Sequence, residues 1–205
     1  MLRVGLTGGY ATGKTFVASE LARLGCHVIH ADKLGHAVLE PGGEAYAPVI
    51  EVFGPEILDE RRHIDRKKLA SIVFQSPERL EELTKIVHPA VSRLEKRLID
   101  ELSLNDPHGI AVYEAAILVE TGRHALYDRL ILTTTNEEIQ IERGMNRDDA
   151  SREQVLARIA KQLPSEKKRS HAHYVIDTSG TKEDTIRQVE DVYRDLKRLA
   201  QGGAE

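Results

Sequence analysis

The residues best suited to chemistry lie near the start of the chain, in the segment Gly8-Gly9-Tyr10-Ala11-Thr12-Gly13-Lys14-Thr15. Their order matches the phosphate-binding pattern of a glycine, four residues of any type, and then Gly-Lys-Ser/Thr. An apolar run, Leu2-Arg3-Val4-Gly5-Leu6, precedes the segment, and an amphipathic stretch with Val17, Leu21 and Leu24 follows it. A strand that turns directly into a helix aims several backbone N–H groups at one point, where an anion binds.

The side chains of this loop predict where a bound polyphosphate and its metal ion would lie. The Lys14 ammonium would meet the outer phosphates, and the Thr15 hydroxyl would bind Mg²⁺. The other nucleotide-binding residues expected in this segment are Gly8, Gly9, Ala11, Thr12, Gly13 and Phe16. The simpler alternative is a glycine-rich turn that only caps a helix. The strand and the helix on the correct sides favour phosphate binding.

The overall composition is that of a globular protein in a reducing compartment. The chain has 205 residues, 30% of them charged, and its net charge of −4 gives no indication of nucleic-acid binding. Its single cysteine, Cys26, excludes an internal disulfide framework and is expected to be buried beside Val28 and Ile29. No apolar stretch reaches membrane-spanning length, and the first strand leaves no room for a signal peptide. We therefore expect a cytoplasmic protein.

The alternation of strands and helices predicts a parallel sheet covered by helices on both faces. Together with the phosphate loop, this pattern predicts a three-layer α/β/α fold of the P-loop kinase or NTPase type. Five strands are expected, near residues 2–6, 28–30, 110–113, 129–133 and 174–176. The stretch from Pro41 to Leu104 has only helical patterning, which suits an acceptor-binding lobe or, alternatively, helices that merely cover the sheet.

Several helix ends can be predicted from capping residues and prolines. The first helix should run from Gly13 to Leu24, with Gly25 just past its end. Asp65 and Ser76-Pro77 are expected to start helices, and Pro89 is expected to break or kink one. Further along the chain, the expected features are a capping box at Thr135-Asn136-Glu137-Glu138, a helix starting at Ser151, a stop at Pro164, a cap at Thr181 and a frayed tail over Gln201–Glu205.

Two carboxylates follow predicted strands, at the sheet edge where ligands bind in open α/β sheets. Asp32 follows the second strand and is a candidate base for an acceptor hydroxyl, although it could instead be the N-cap of a helix over Lys33–Leu39. Glu114 ends the third strand, where an acid can hold Mg²⁺ through water. His30, two residues before Asp32, is interpreted as structural.

The predicted helices between the fourth and fifth strands are basic. Their cations are Arg143, Arg147, Arg152, Arg158, Lys161, Lys167, Lys168 and Arg169. Such a run is usually a solvated helix face, and interleaved acids support that interpretation for some members. Phosphoryl transfer nevertheless needs cations around the moving group, and a mobile helix pair would also exclude water. Arg143 and Arg147 lie one helical turn apart and are candidates for this role.

With these features placed, the chain resembles the dephospho-CoA kinases along almost its whole length. The leader is similar from Leu6-Thr7-Gly8-Gly9 to Lys14-Thr15, and Ala31-Asp32 resembles the second half of the family's Asp-Ala-Asp motif. The other similar segments, in family order, are Glu40-Pro41-Gly42, Phe53-Gly54, Ile64-Asp65-Arg66 with Leu69, Val73-Phe74, Ile86-Val87-His88-Pro89, Ala116-Ile117-Leu118-Val119-Glu120, Arg143, Met145-Asn146-Arg147, Arg158-Ile159 with Gln162, and Val175-Ile176-Asp177 with Gly180.

The resemblance implies ATP-dependent phosphorylation of the ribose 3′-hydroxyl of dephospho-CoA. It implies that Asp32 is the base, that Lys14 and Arg143 are catalytic, and that the acceptor region includes His88, Pro89 and Glu120. Further expected nucleotide contacts are Arg147, Thr178 and Gly180. The implied parts of the single domain, residues 1–205, are a nucleotide-binding core at 1–32, 106–135 and 170–201, an acceptor lobe at about 33–105 and a lid at about 136–169.

Two alternatives stay open beside this reading: a P-loop kinase for nucleosides or nucleotides, and an ATP-dependent switch protein without an acceptor. The chain has no Asn-Lys-x-Asp signature and no Asp-x-x-Gly after the third strand, which argues against a GTPase switch, and no residue cluster has zinc-ligand spacing. We expect no nucleic-acid or membrane partner, and a monomer or small homo-oligomer.

The chain departs from the family pattern at four positions. His30 replaces the first aspartate of Asp-Ala-Asp, and Ala116 replaces a proline. Thr178 stands where an asparagine is usual, and Ala11 replaces a loop glycine. A methyl group at position 11 is expected to be tolerated only if φ is negative or the loop shifts slightly.

Overall fold

A computed structural model describes residues 1–202; the last part of the expected tail, residues 203–205, lies outside the described residues. The strands are β1 Leu2–Gly8, β2 His27–His30, β3 Ile110–Glu114, β4 Arg129–Thr134 and β5 Tyr174–Asp177. The α-helices are α1 Lys14–Arg23, α2 Ala31–Ala37, α3 Tyr46–Phe53, α4 Arg66–Val73, α5 Pro77–Asn105, α6 Glu137–Asp148, α7 Arg152–Ala160, α8 Ser165–Arg169 and α9 Lys182–Ala200. Short 3₁₀ helices cover Pro55–Ile57 and Arg123–Leu126.

All five strands are parallel and form one sheet in the order β2-β3-β1-β4-β5. The predicted α/β class and five-stranded parallel sheet are therefore confirmed. In the register of the sheet, Leu6 of β1 lies opposite Glu114 of β3, and Glu114 lies opposite His30 of β2. Because parallel strands end at the same edge, the loops after β1, β2 and β3 leave the sheet side by side.

The chain divides into two compact units, each with its own apolar core. The first unit comprises Met1–His30 and Leu102–Glu205, and the second comprises Ala31–Glu101. In the first unit, β1 supplies Val4 and Leu6 to a core that α1 and α9 also line. The core of the second unit consists of Val38, Ala45, Val49, Phe53, Ile57, Ile64, Leu69, Val73 and Ala90.

The end of α1 shows how closely local sequence and structure agree. Gly25 has a φ of 102°, which favours glycine, and its N–H donates to Ala22 O at 3.0 Å. The Cys26 N–H donates to Leu21 O at 3.0 Å, which completes the hydrogen-bond pair typical of a glycine-terminated helix. Cys26 is buried as expected, and this burial raises the pKa of its thiol to about 12. A thiol with such a pKa stays protonated and unreactive at neutral pH.

Pro89 was expected to break or kink a helix. The break is wrong, because α5 continues through this residue from Pro77 to Asn105. Proline removes one N–H donor from the helix ladder but leaves the bonds of neighbouring turns. On either side of it, Val87 and Val91 pack against the core of the second unit. The apolar stripe therefore keeps the helix intact where the local proline signal opposes it.

The region between β4 and β5 differs from the prediction in two details. The N-cap of α6 is Asn136, whose side chain accepts from Glu138 N at 2.9 Å, so the capping box expected from Thr135 is not the observed cap. The helix α7 ends at Ala160, before Pro164, and Pro164 instead precedes the short helix α8. The predicted starts at Asp65, Ser151 and Thr181 are confirmed by side-chain hydrogen bonds to the following N–H groups.

None of the helices within residues 1–202 combines the length and the apolar character that crossing a membrane requires.

Candidate active site

The phosphate loop links β1 to α1 through two residues with left-handed backbone conformations. Gly13, immediately before α1, has a φ of 78°, and Ala11 has a φ of 55°. Of the two conditions stated for a methyl group at position 11, a negative φ is therefore not met. For a residue with a side chain, this conformation costs on the order of 1 kcal/mol. The fixed ends of the strand and the helix set the path of the loop, and Ala11 follows that path despite its methyl group.

Side chains and backbone groups of the first unit hold the loop in place. The Thr12 hydroxyl lies 2.8 Å from Gly9 O and 2.8 Å from the Thr133 hydroxyl at the end of β4. The Lys14 ammonium donates to Gly8 O at 3.1 Å and to Gly9 O at 2.8 Å. The lysine therefore lies over the loop, where an arriving phosphate would compete with neutral carbonyl groups for it.

The structure brings Thr15 and Glu114 together, as a metal site requires. The Thr15 hydroxyl donates to Glu114 Oε1 at 3.2 Å. The other carboxylate oxygen, Oε2, lies 2.5 Å from His30 Nδ1. The sequence interpretation of His30 as merely structural missed this contact. Pairing of β2 with β3 places the two residues side by side, and a single sequence does not reveal which strands are neighbours.

A cavity of about 620 Å³ opens at the loop within the first unit. Ten residues expected at the nucleotide site line it: Ala11, Thr12, Gly13, Lys14, Thr15, Phe16, Arg143, Arg147, Thr178 and Gly180. Four further lining residues were not predicted: Asn146, Thr181, Lys182 and Thr185. Thr181 was recognised only as a helix cap, and the missing information was that the start of α9 also lines this cavity. Gly8, Gly9, Glu114 and Glu120 lie outside the lining.

Arg143 of α6 is held by two hydrogen bonds to one residue after β5. Its Nη1 donates to Thr178 Oγ1 at 2.8 Å, and its Nη2 donates to Thr178 O at 2.8 Å. The Thr178 hydroxyl in turn donates to Thr12 O at 3.2 Å. The chain Arg143–Thr178–Thr12 therefore connects α6 to the phosphate loop. Thr178 is buried, so these bonds are shielded from competing water.

The predicted acceptor residues Asp32, His88 and Pro89 lie in the second unit. Asp32 is exposed in the first turn of α2, which begins at Ala31, so its alternative role as the N-cap is wrong. His88 and Pro89 lie inside α5, so His88 is not at a helix end. Exposure leaves the Asp32 carboxylate accessible to a ligand.

Glu120, also predicted to contact the acceptor, forms an ion pair in the first unit. Its Oε1 lies 2.6 Å from Lys168 Nζ and accepts from Leu163 N at 3.2 Å. The side chain of Lys168 is completely buried and also donates to Ala116 O at 3.0 Å. The interpretation of the basic run as a solvated face is thus wrong for Lys168. Its burial depends on Glu120, which only the fold brings near.

Comparisons with known proteins show which family the chain belongs to. The family model for dephospho-CoA kinase matches residues 2–184. The chain belongs to the dephospho-CoA kinase family. A dephospho-CoA kinase from Aquifex aeolicus is 41% identical over 202 residues, which cover 97% of this chain and 99% of the relative. A dephospho-CoA kinase from Halalkalibacterium halodurans is 37% identical over 196 residues, covering 96% of this chain and 97% of the relative.

Two solved structures share the fold of this chain, and one of them is a dephospho-CoA kinase. The structure of TT1252 from Thermus thermophilus matches with a TM-score of 0.80 and 32% identity, over 95% of this chain and 97% of that one. The dephospho-CoA kinase from Campylobacter jejuni matches with a TM-score of 0.65 and 25% identity, over 95% and 96% of the two chains. The chain is therefore a kinase, a phosphotransferase that acts on an alcohol group.

The buried ion pair of Lys168 generates a prediction about stability. Replacement of Lys168 by methionine should lower the free energy of unfolding by about 2 kcal/mol, because Glu120 and Ala116 O lose a hydrogen-bond donor. Urea denaturation followed by circular dichroism measures the change. Lys167→Met is the matched control, because this neighbouring lysine is exposed and its loss should cost less than about 0.5 kcal/mol. Equal effects of both replacements would contradict a structural role for the Lys168 ion pair.

Proposed function

We propose that the protein transfers the γ-phosphoryl group of ATP to the ribose 3′-hydroxyl of dephospho-CoA, giving coenzyme A and ADP. The observation that carries this proposal is the family match over residues 2–184, which includes a complete phosphate loop from Gly8 to Thr15. The cavity of about 620 Å³ beside the loop supports the presence of a nucleotide there. ATP is the phosphoryl donor that a kinase family implies.

The loop and α1 would bind the phosphates of ATP. Backbone N–H groups between Gly8 and Thr15 precede a ten-residue helix, and such a helix N-terminus carries positive partial charge. When ATP binds, the Lys14 ammonium would exchange its hydrogen bonds to the Gly8 and Gly9 carbonyls for contacts with the outer phosphates. The nucleoside end of ATP would lie toward Thr178 and Gly180, which line the same cavity.

The residues Thr15 and Glu114 fit a magnesium ion. A hydroxyl and a carboxylate 3.2 Å apart are hard oxygen donors, and Mg²⁺ typically uses one or two such protein ligands together with water and substrate phosphates. Residues 1–202 contain no group of three or more His, Cys, Asp or Glu side chains arranged to hold a metal. When bound, the ion would neutralise charge on the transferring phosphate.

Four predicted residues would act on the acceptor: Asp32, His88, Pro89 and Glu120. Asp32 would accept the proton of the 3′-hydroxyl, and its exposure in the first turn of α2 supports this role. Residues 33–105 would form the acceptor-binding lobe, with His88 and Pro89 in its helix α5. Glu120 would also line the acceptor region. Residues 136–169 would form a lid whose Arg143 stabilises the charge of the transferring group.

Other properties follow from the composition and stay part of this proposal. The net charge of −4 supports a protein without a nucleic-acid partner, and the single cysteine supports a cytoplasmic location. A monomer or a small homo-oligomer would suffice, because the phosphate loop, the metal-site pair and the cavity of the nucleotide site come from one chain.

A phosphotransfer assay tests the proposal directly. Purified protein with ATP and Mg²⁺ should form ADP and coenzyme A in equal amounts when dephospho-CoA is present. A panel of nucleosides and nucleotides serves as the comparison, and none should give saturable transfer. Transfer only to a nucleoside or nucleotide would replace the acceptor proposed here. ATP hydrolysis that dephospho-CoA leaves unchanged would instead indicate a switch protein.

The roles of Lys14 and Asp32 predict losses of turnover in a folded protein. Lys14→Ala should lower kcat by about 10³-fold, because one preorganised cation at the phosphates is lost. Asp32→Asn should lower kcat by about 10²-fold or more, because an amide does not accept the hydroxyl proton. Asp100→Asn is the control for charge removal, since Asp100 is an exposed residue of the same unit. Near-normal turnover of the Asp32→Asn variant would exclude Asp32 as the base.

The position of Arg143 predicts a selective effect on the chemical step. Arg143→Ala should lower kcat by about 10²-fold and change the KM for dephospho-CoA less than threefold, because the guanidinium would act mainly on charge in the transition state. Steady-state kinetics separate the two parameters. Arg152→Ala is the matched control, because Arg152 is an exposed arginine of α7 paired with Glu138. A larger effect on KM than on kcat would assign Arg143 to acceptor binding.

A further inference from the structure

Tyr10 occupies a position of the phosphate loop at which the loop pattern accepts any residue. Its backbone nevertheless forms hydrogen bonds with side chains of α6 and of the segment after α7. The Tyr10 N–H donates to Gln162 Oε1 at 2.6 Å. The Tyr10 carbonyl accepts from Gln140 Nε2 at 2.6 Å. Two glutamine side chains therefore satisfy both backbone groups of one loop residue. These bonds tie the backbone of the loop to α6 and to the segment after α7, and the side chain of Tyr10 adds further contacts with α6 and α7.

The hydroxyl group of Tyr10 adds a second set of contacts. It donates to Asp148 Oδ2 at 2.6 Å and accepts from Arg158 Nη1 at 3.0 Å. Asp148 also accepts from Arg147 Nε at 2.7 Å and pairs with Arg158. Hydrogen bonds from Arg147 and then from Tyr10 hold the pKa of Asp148 well below its usual range. Asp148 is therefore charged at neutral pH and bridges the tyrosine to both arginines.

The aromatic ring of Tyr10 supplies the third set of contacts. The guanidinium carbons of Arg147 and Arg158 lie 4.6 Å and 5.6 Å from the ring centroid. At these distances the negative face of the ring attracts a cation. The ring also contacts α6 where there is no side chain: a Cβ atom on Gly144 would lie 2.6 Å from Tyr10 Cε1. The helix surface thus accommodates an aromatic ring at this position.

The charges around Tyr10 explain why an aromatic residue suits this site. Two arginines meet a single carboxylate, Asp148, so the cluster has an excess of positive charge beside a loop built for phosphates. The hydroxyl and the ring face hold these cations without adding a formal negative charge. A carboxylate in place of the tyrosine would cancel the excess charge and repel the phosphates. The cluster therefore keeps its attraction for a nucleotide while its geometry stays fixed.

We propose that Tyr10 is a positioning residue that anchors α6 and α7 on the phosphate loop and thereby holds Arg147 beside the phosphates of ATP. This inference rests on the proposed function, because the benefit of the anchor lies in phosphoryl transfer. Arginines that are positioned before the reaction lower its barrier without reorganisation. An anchored lid also keeps water from the γ-phosphate, so transfer to the acceptor is favoured over hydrolysis.

Replacement of Tyr10 by leucine and by phenylalanine tests this role. Tyr10→Leu removes the hydroxyl and the aromatic face, and should lower kcat about tenfold with a change of less than threefold in the KM for ATP. Tyr10→Phe keeps the ring and should lose only about threefold in kcat. ATP hydrolysis without dephospho-CoA should rise relative to transfer in the leucine variant. Tyr193→Phe is the control, because Tyr193 contacts Lys197 on α9, outside the lining of the cavity.

A double replacement separates positioning from simple packing. If Tyr10 acts through Arg147, then Arg147→Ala should lower kcat clearly in the parent protein but less than twofold in the Tyr10→Leu background. If Arg147→Ala lowered kcat by the same factor in the parent protein and in the Tyr10→Leu background, the proposal would be overturned. An unchanged kcat and an unchanged ratio of hydrolysis to transfer in Tyr10→Leu would also overturn it.

Hydrogen–deuterium exchange tests, without any measurement of turnover, whether Tyr10 anchors α6 and α7. In unliganded protein, Tyr10→Leu should speed exchange in Glu137–Asp148 and Arg152–Ala160 and leave Lys182–Ala200 unchanged. Faster exchange throughout the chain would indicate a general loss of stability and would overturn the positioning role. Absence of transfer to dephospho-CoA by the parent protein would contradict the proposed function alone, whereas unchanged exchange in α6 and α7 would contradict the anchor alone.

Discussion

The turn from β1 into α1 is the constraint on which the rest of the site depends. The strand lies in the centre of the sheet and the helix packs on the core of the first unit, so both ends of the loop are fixed. The loop accommodates this geometry with left-handed conformations at Ala11 and Gly13. At Ala11 the methyl group makes this conformation unfavourable by about 1 kcal/mol. A fold that tolerates this strain at its phosphate loop shows that the flanking elements, and not the loop sequence alone, determine the loop shape.

The order of the strands then decides which side chains reach the loop. Because β3 and β4 flank β1, Glu114 and Thr133 stand beside the loop, and both hydrogen-bond to its residues. On the far side of β3, β2 brings His30 against Glu114. Glu114 therefore has two hydrogen-bond donors, Thr15 from α1 and His30 from the edge strand β2. A histidine in place of the family aspartate removes a negative charge from this cluster and supports the remaining carboxylate with a donor.

The sequence was sufficient for features that depend on local chemistry. The phosphate loop, the five strands, and the caps at Asp65 and Ser151 depend on nearby residues, and each lies where the pattern indicated. Features that depend on distant partners were missed. The burial of Lys168 needs Glu120, and the continuity of α5 through Pro89 needs the core of the second unit. The backbone conformation of Ala11 could not be decided from the sequence either, because residue type indicates only a local preference and the fold overrides it there.

The charges at the loop are arranged so that a nucleotide can displace protein contacts with little opposition. Lys14 is held by carbonyl oxygens and Arg143 by a threonine, and both kinds of acceptor are neutral. A neutral acceptor holds a cation in position but competes weakly with a phosphate, because only the phosphate adds the attraction between opposite full charges. At Arg147 a carboxylate, Asp148, takes part, and there Arg158 compensates for its charge. The cations of the site are therefore ordered before ATP arrives, and their positive potential is largely retained for it.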